Sequence, residues 1–202
     1  TAWKQYGDSR WALRAHPSSG NLHPTETWVI AYWVDGLADG LYHYQAREHS
    51  VEWRASALTA SETPGLWLGF SSIHWREAWK YGERALRYCQ LDMGHVLAAL
   101  AYGAALFGWR PRMVTLDPAR VAHCLGLDRS DDFADVEPEE AEIIVALLPE
   151  PEASSGSESA TPLPPLDWDE WSGLPSRLDP NPLYRWPVIQ EAAEATRGQL
   201  PL

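Results

Sequence analysis

Cysteine is scarce in this sequence. The 202 residues hold only Cys89 and Cys124, too few for a disulfide framework or a metal quartet, and both sit among apolar neighbours where buried thiols are expected. The seven histidines do not fall at the tight, paired spacings that a closed zinc site wants. No run approaches the roughly eighteen apolar residues of a membrane-spanning helix, and a basic-then-apolar leader is missing from the start. The chain is therefore expected to be soluble and cytoplasmic, with Thr1 in place of a methionine pointing to a segment before it. Positive charge is also short: 16 basic against 28 acidic residues leave a net charge of −12, which argues against nucleic acid as a partner. The familiar catalytic signatures GxxxxGK[ST], GxGxxG and GxSxG are absent.

What remains is a well-furnished globular domain. Hydrophobic residues make up 45% of the chain and twelve tryptophans are present, ample for a packed core. The excess acid is local, with eleven carboxylates against the single Arg129 between Asp128 and Glu158, a stretch read as solvated surface. Residues 26–34, "ETWVIAYWV", are β-branched and aromatic throughout, as in a strand buried on both faces. "LYHYQA", "SVEWRA" and "GLWLGFSSI" (65–73) follow as further strands. From Tyr81 to Phe107 the apolar period becomes three and four, which predicts one long helix, ended by Gly108. Its second stripe, Gly94, Ala98, Ala101 and Ala105, together with Gly103, predicts close packing against a neighbour, since each interior glycine costs about 1 kcal/mol relative to alanine. "RMVTL" and "EIIVALL" are strands with a short helix, "PARVAHCLGL", between them. Residues 149–166 read as a Pro/Ser/Glu-rich linker. An aromatic arm without a period follows, expected to lie over another surface, and "VIQEAAEATR" is a last helix. The domain organisation is thus 1–148, a linker at 149–166, and an appendage at 167–202.

Two clusters have residue types that carry chemistry. In "RAHPSSGNLHPTE" (14–26), Pro17 fixes φ and Gly20 permits left-handed geometry, so the backbone N–H groups of Ser18 to Asn21 are expected to point outward. Ser18, Ser19 and Asn21 suit a heterocycle with an amide-like edge, and Arg14 suits a phosphate or an electron-rich ring edge. A serine- and asparagine-rich turn leading into a strand remains the alternative. The second cluster, "SIHWREAWKYGERALRYCQLDMGH" (72–95), gathers Arg76, Lys80, Arg84 and Arg87 among Trp75, Trp79, Tyr81 and Tyr88, and puts Tyr88, Asp92 and His95 on one helical line. Such a cationic, aromatic patch suits an anionic, stacking cofactor. The alternative is a salt-bridged surface, with Arg84 and Arg87 paired to the acidic stretch.

These two segments, with "GLYHYQAREHSVEW" between them, resemble the nitroreductase family, in particular its SagB-type dehydrogenases, over roughly residues 10–148 in the same order. The resemblance carries "R…PSSGN…P-T-E" before a strand, and "KYGERALRYCQLDMGH" followed by small residues and "LFGW". It implies an α+β fold with a mixed sheet flanked by helices and a long buried central helix. It implies FMN as cofactor, hydride transfer between flavin and a small organic substrate such as an azoline-like heterocycle, and NAD(P)H as a candidate reductant. It also implies a homodimer or a tandem second nitroreductase-like domain. Carried over by position, Arg14, Pro17, Ser18, Ser19, Gly20 and Asn21 would face the flavin. Lys80 and Tyr81 match a Lys–Tyr pair in which the lysine takes a proton, a role favoured when cationic neighbours weaken its hold on its own proton. The family's arginine-rich start and its late basic pair, which hold the FMN phosphate, have no plain counterpart. Either Arg10 and the arginines of 76–87, Arg84 and Arg87 among them, substitute for these, or the phosphate clamp lies on sequence outside this stretch or on a partner domain. A cofactor-free scaffold supporting a catalytic partner half is the competing expectation.

Overall fold

In the computed structural model, residues 2–149, 163, 167–176, 178–179 and 181–198 are described. Most of the expected linker, 150–162 and 164–166, lies outside them. The strands are β1 (Ala2–Tyr6), β2 (Ser9–Leu13), β3 (Thr25–Tyr32), β4 (Gly40–Gln45), β5 (Ser50–Ala57), β6 (Gly65–Ser72), β7 (Trp109–Val114), β8 (Glu140–Pro149) and β9 (Trp168–Asp169). The helices are α1 (Trp75–Tyr81), α2 (Ala85–Ala105), α3 (Pro118–Leu125) and α4 (Pro187–Thr196). β1 and β2 form their own hairpin; the other seven strands make one sheet in the order β7-β8-β6-β3-β4-β5-β9, antiparallel at every pairing. The first hairpin was not anticipated, because its aromatics Trp3, Tyr6 and Trp11 are exposed and give no one-faced alternation.

The centre of the sheet is covered on both faces, and the period-two alternation of its strands sorts the side chains. Trp67 of β6 and Ile144 and Ala146 of β8 join Trp28, Ile30 and Tyr32 of β3 in a cluster under Val121, Cys124 and Leu125 of α3. Their neighbours in sequence, Phe70 on β6 and Val145 on β8, point the other way and meet Met93 and Val96 of α2. Each such side chain contributes about 1.5–3 kcal/mol on full burial. Cys89 and Cys124 are free and buried, as their surroundings implied.

The helix expected from Tyr81 to Phe107 begins earlier and is broken. α1 ends at Tyr81, a 3-10 turn takes Gly82–Arg84, and α2 then runs to Ala105. Gly82, at φ 59° and ψ −137°, adopts a backbone conformation open in practice only to glycine, so the joint is set by that residue. α2 stops at Ala105 with Leu106 as its cap, short of the expected end at Phe107, and Gly108, at φ +68°, ends the turn that follows. The close packing expected at Gly94 and Gly103 is not found: a Cβ at either would meet nothing within 4 Å. The small stripe lies on an exposed side of α2, continued by Leu91, Tyr102, Leu106 and Phe107, which are 50–84% exposed. Glycines that do allow close approach include Gly69, where α3 presses Leu125 against the sheet, and Gly126, where Trp171 lies over the end of α3.

The aromatic arm lies partly on its own domain. β9 extends the sheet beside β5, Trp168 Nε1 donates to the Cys124 carbonyl at 2.8 Å, and Ile189 of α4 packs with Ala78 and Ala85. The acidic stretch is likewise not all solvated. Glu137 accepts the backbone N–H groups of Leu178 and Asp179, Glu140 pairs with Arg197 at 2.7 Å, and Glu139 accepts from the Ser71 hydroxyl with its acidity weakened by burial.

Candidate functional site

Residues 14–24 link the first hairpin to β3, and three buried carboxylates organise this region. Glu26 at the start of β3 is the anchor. Arg76 of α1 bonds to it and also donates to the His23 carbonyl at 2.9 Å; His43 of β4 meets its other oxygen at 2.6 Å. Burial alone would raise the Glu26 carboxyl, but the His43 hydrogen bond and the charges of Arg76 and Arg14 outweigh it and hold it at about 2. Arg14 is drawn into the same network, donating to the Thr25 carbonyl at 2.8 Å and lying 3.9 Å from Glu26. Its position braces the base of the loop.

Asp92 of α2 is the second anchor. The Ser18 hydroxyl donates to its Oδ2, and the Ser19 N–H donates to Oδ1 at 3.1 Å. Ser18 Oγ also accepts the His23 N–H at 2.8 Å, and the Asn21 N–H is spent on the Ser18 carbonyl at 3.0 Å. The outward row of amides expected from Ser18 to Asn21 is therefore not what the chain builds: the Ser19 and Asn21 amides and the Ser18 hydroxyl face inward. A tight turn results, with Gly20, Asn21 and His23 all at positive φ (60°, 60° and 52°). His23 holds the Asn21 side chain at 3.0 Å and stacks edge-on with His16. Burial, followed by the Arg14 charge, pushes His23 down to about 4, so it is neutral near pH 7. His23 thereby shapes the loop.

Gly20 is where the two sequence clusters meet. A Cβ on Gly20 would lie 2.6 Å from Tyr81 Oη and 2.8 Å from Lys80 Nζ. The loop tip and the Lys–Tyr pair, sixty residues apart in sequence, are thus in near contact. Lys80 lies 5.4 Å from the centre of the Tyr81 ring, and Tyr81 packs edge-on against Tyr88 at 4.6 Å. Pro17, Gly20, Asn21, Lys80, Arg84 and Arg87 are exposed. Arg84 lies over Tyr88 at 5.9 Å, and among the described residues neither Arg84 nor Arg87 has an ion-pair partner, so the salt-bridged surface is not formed there. Arg10 is apart from this group, on β2 with its guanidinium 4.3 Å over the Trp3 ring.

The third carboxylate is Glu77, one turn before Lys80 on α1. It is fully buried, neither oxygen has a hydrogen-bond partner, and burial first, then the charge of Asp92, push it up to about 7. The sequence carried a signal for it, an acid three residues ahead of Lys80 in "WREAWKY", and for Asp92, which shares a helical line with Tyr88. Their burial followed only from how α1 and α2 pack.

The site is an open edge. A cavity of about 490 Å³ lies between α1, residues 134–138 and residues 179 and 182–190, and neither the loop nor Lys80 lines it. The donors left unspent, Asn21 and Lys80 with Arg84 and Arg87 beside them, fit FMN in type: amide and ammonium donors for a ring edge, guanidinium groups for a phosphate.

The fold places this site on a nitroreductase-like scaffold. A solved putative nitroreductase from Anabaena variabilis matches 82% of this chain and 38% of its own at 26% identity, with a TM-score of 0.56. An E. coli microcin synthetase McbBCD complex, solved with truncated pro-MccB17 bound, matches 70% of this chain and 56% of its own at 19% identity, with a TM-score of 0.51. In sequence, the trifolitoxin-processing protein TfxB of Rhizobium leguminosarum bv. trifolii is 30% identical over 120 residues, 51% of this chain and 32% of TfxB. No family model matches. The chain has a nitroreductase-like α+β fold, and it spans about a third of the length of the curated relative it matches.

Proposed function

We propose that the chain is part of an FMN-dependent oxidoreductase of the SagB type, and that its loop 17–21 and Lys80–Tyr81 form one side of the flavin site. The observation that carries this reading is the contact at Gly20, which brings a polar loop edge, an exposed lysine and a tyrosine hydroxyl to one point. Bound FMN would supply the two-electron acceptor that hydride transfer from a substrate carbon requires. The chain's own residues supply the rest. Asp92 and Glu26 fix the loop, Asn21 and the neighbouring arginines supply donors and positive charge, and Lys80, as the free amine, takes the substrate proton with Tyr81 orienting it. The relatives named for toxin processing and for a complex holding a truncated precursor support a heterocycle borne on a peptide as substrate.

The site needs a second half. Its edge is open, and the adjoining face of α2 exposes Leu91, Tyr102, Leu106 and Phe107, a patch of the kind that marks an interface. A second nitroreductase-like domain, in tandem or from another copy, would cover that face and complete the flavin site. Lys80→Ala in the completed assembly tests the assignment: turnover should be lost while flavin stays bound. Unchanged turnover removes Lys80 from the base role, and an assembly that takes up no FMN favours a cofactor-free scaffold.

A further inference from the structure

The joint at Gly82 follows directly on Lys80 and Tyr81. Glycine has the widest choice of φ and ψ, so one at φ 59° and ψ −137° keeps that conformation only where its surroundings impose it. Here the C-terminal segment supplies them. The Trp186 indole lies against the joint, where a Cβ on Gly82 would be 3.3 Å from its Nε1. Trp186 also packs on the cluster of Ala78, Ala85 and Ile189, which ties α1, α2 and α4 together across the joint. The segment is pinned at both ends to the start of β8 and the residues just before it. Leu178 and Asp179 donate their N–H groups to Glu137 at 3.2 and 2.9 Å. Beyond α4, Arg197 gives Nε and Nη2 to the two oxygens of Glu140, both at 2.7 Å, a fork that fixes direction as well as distance. Between these pins the strap spans the cavity of about 490 Å³ instead of lying flush on α1. Few side chains therefore carry the contact, and among the described residues Trp186 is the side chain that reaches Gly82.

We propose that Trp186 is a positioning residue: the pinned strap holds its indole on the Gly82 joint, and the joint so held aims Lys80 and Tyr81 at the loop tip. This rests on the proposed role of Lys80 and Tyr81 for its catalytic consequence, but not for its effect on the joint. The fit at the tip is close, since a Cβ on Gly20 would lie 2.6 Å from Tyr81 Oη and 2.8 Å from Lys80 Nζ. A small rotation at Gly82, one residue from Tyr81, undoes it. The C-terminal appendage is then part of the frame of the site.

Two readouts require neither flavin nor turnover. In the unsubstituted protein the Tyr81 ring and the Gly20 Cα protons should show a nuclear Overhauser contact. The Gly82 amide, which donates to the Ala78 carbonyl, should be protected from hydrogen exchange. Trp186→Ala should lose the contact and speed Gly82 exchange several-fold, while the amides of β3 and β6 keep their protection. Trp186→Phe, which keeps a ring on the joint, should restore both. Arg197→Glu should act in the same direction as Trp186→Ala, and Glu140→Arg added to it should reverse the effect. Unchanged contact and exchange in Trp186→Ala overturn the proposal, and so does a uniform loss of protection through the sheet. In the active assembly, kcat per bound flavin should fall on the order of 100-fold in Trp186→Ala, the cost of about 1 Å at a reacting group. KM and flavin content should hold, and Trp186→Phe should regain the rate. Full kcat in Trp186→Ala, with Lys80→Ala inactive, overturns the positioning role. If Lys80→Ala remains active while Trp186→Ala opens the joint, the base assignment fails and the clamp on Gly82 stands.

Discussion

Adding one methyl group at Gly20 separates backbone strain from damage to the site. Gly20 sits at φ +60°, where a side chain costs about 1–2 kcal/mol, or about 2–8 °C in Tm for a domain of this size. The new Cβ would lie 2.6 Å from Tyr81 Oη and 2.8 Å from Lys80 Nζ. Both atoms are tips of movable side chains, so they retreat by about 1 Å and add little to the cost of folding. A displacement of that size at a reacting group costs on the order of 100-fold in rate. Gly36→Ala is the matched control, since Gly36 has φ +81° and a Cβ there meets nothing within 4 Å. Thermal melts and FMN titrations of the two variants, with turnover of the completed assembly, make the comparison. Both should lose similar Tm, and only Gly20→Ala should lose flavin affinity and rate. Equal flavin affinity and turnover in the two variants would refute the placement of the loop tip and the Lys–Tyr pair at the site.

Other outcomes follow from the same geometry. Glu26, held at about 2 against an ordinary 4.5, contributes about 3 kcal/mol of stability; this is present above pH 4.5 and drains as pH falls toward 2, so acid unfolding of Glu26→Gln should lose that part of its pH dependence. That variant also leaves Arg76 and His43 short of a partner, and denaturant melts at pH 7 should show a loss of about 3–5 kcal/mol. Asp92→Asn weakens two hydrogen bonds to a charged acceptor, worth about 1.5–3 kcal/mol each, and should free the Ser19 amide to exchange while leaving the sheet protected. Leu106→Glu, at a position 84% exposed, should change the stability of the isolated chain by no more than about 0.5 kcal/mol, yet reduce association with a second nitroreductase-like domain in sedimentation or light scattering.

The fold was legible where burial imposes a period. β3, β4, β6, β8 and α3 stand close to where their apolar patterns placed them. The break at Gly82 was not legible, because the apolar period runs through the turn. The small stripe of α2 misled for a different reason: Gly94 and Gly103 read as points of close approach, yet among the described residues a Cβ at either would meet nothing within 4 Å. At the site, the residue types in the loop and the Lys–Tyr pair stood out in the sequence, whereas the direction of their hydrogen bonds did not. Ser18 reads as a ligand-facing hydroxyl until Asp92, seventy-four residues away, is placed beneath it. Nothing in the sequence marks Glu77 as buried, and only the packing of α1 buries it.

The account turns on whether this loop and this lysine border a flavin. The most direct measurement is the flavin content of the completed assembly, purified without added cofactor and then titrated with FMN. The account predicts a yellow protein whose flavin is released on denaturation, with affinity reduced in Gly20→Ala and in Asp92→Asn. A colourless protein that takes up no FMN, with its second nitroreductase-like half present, would contradict it.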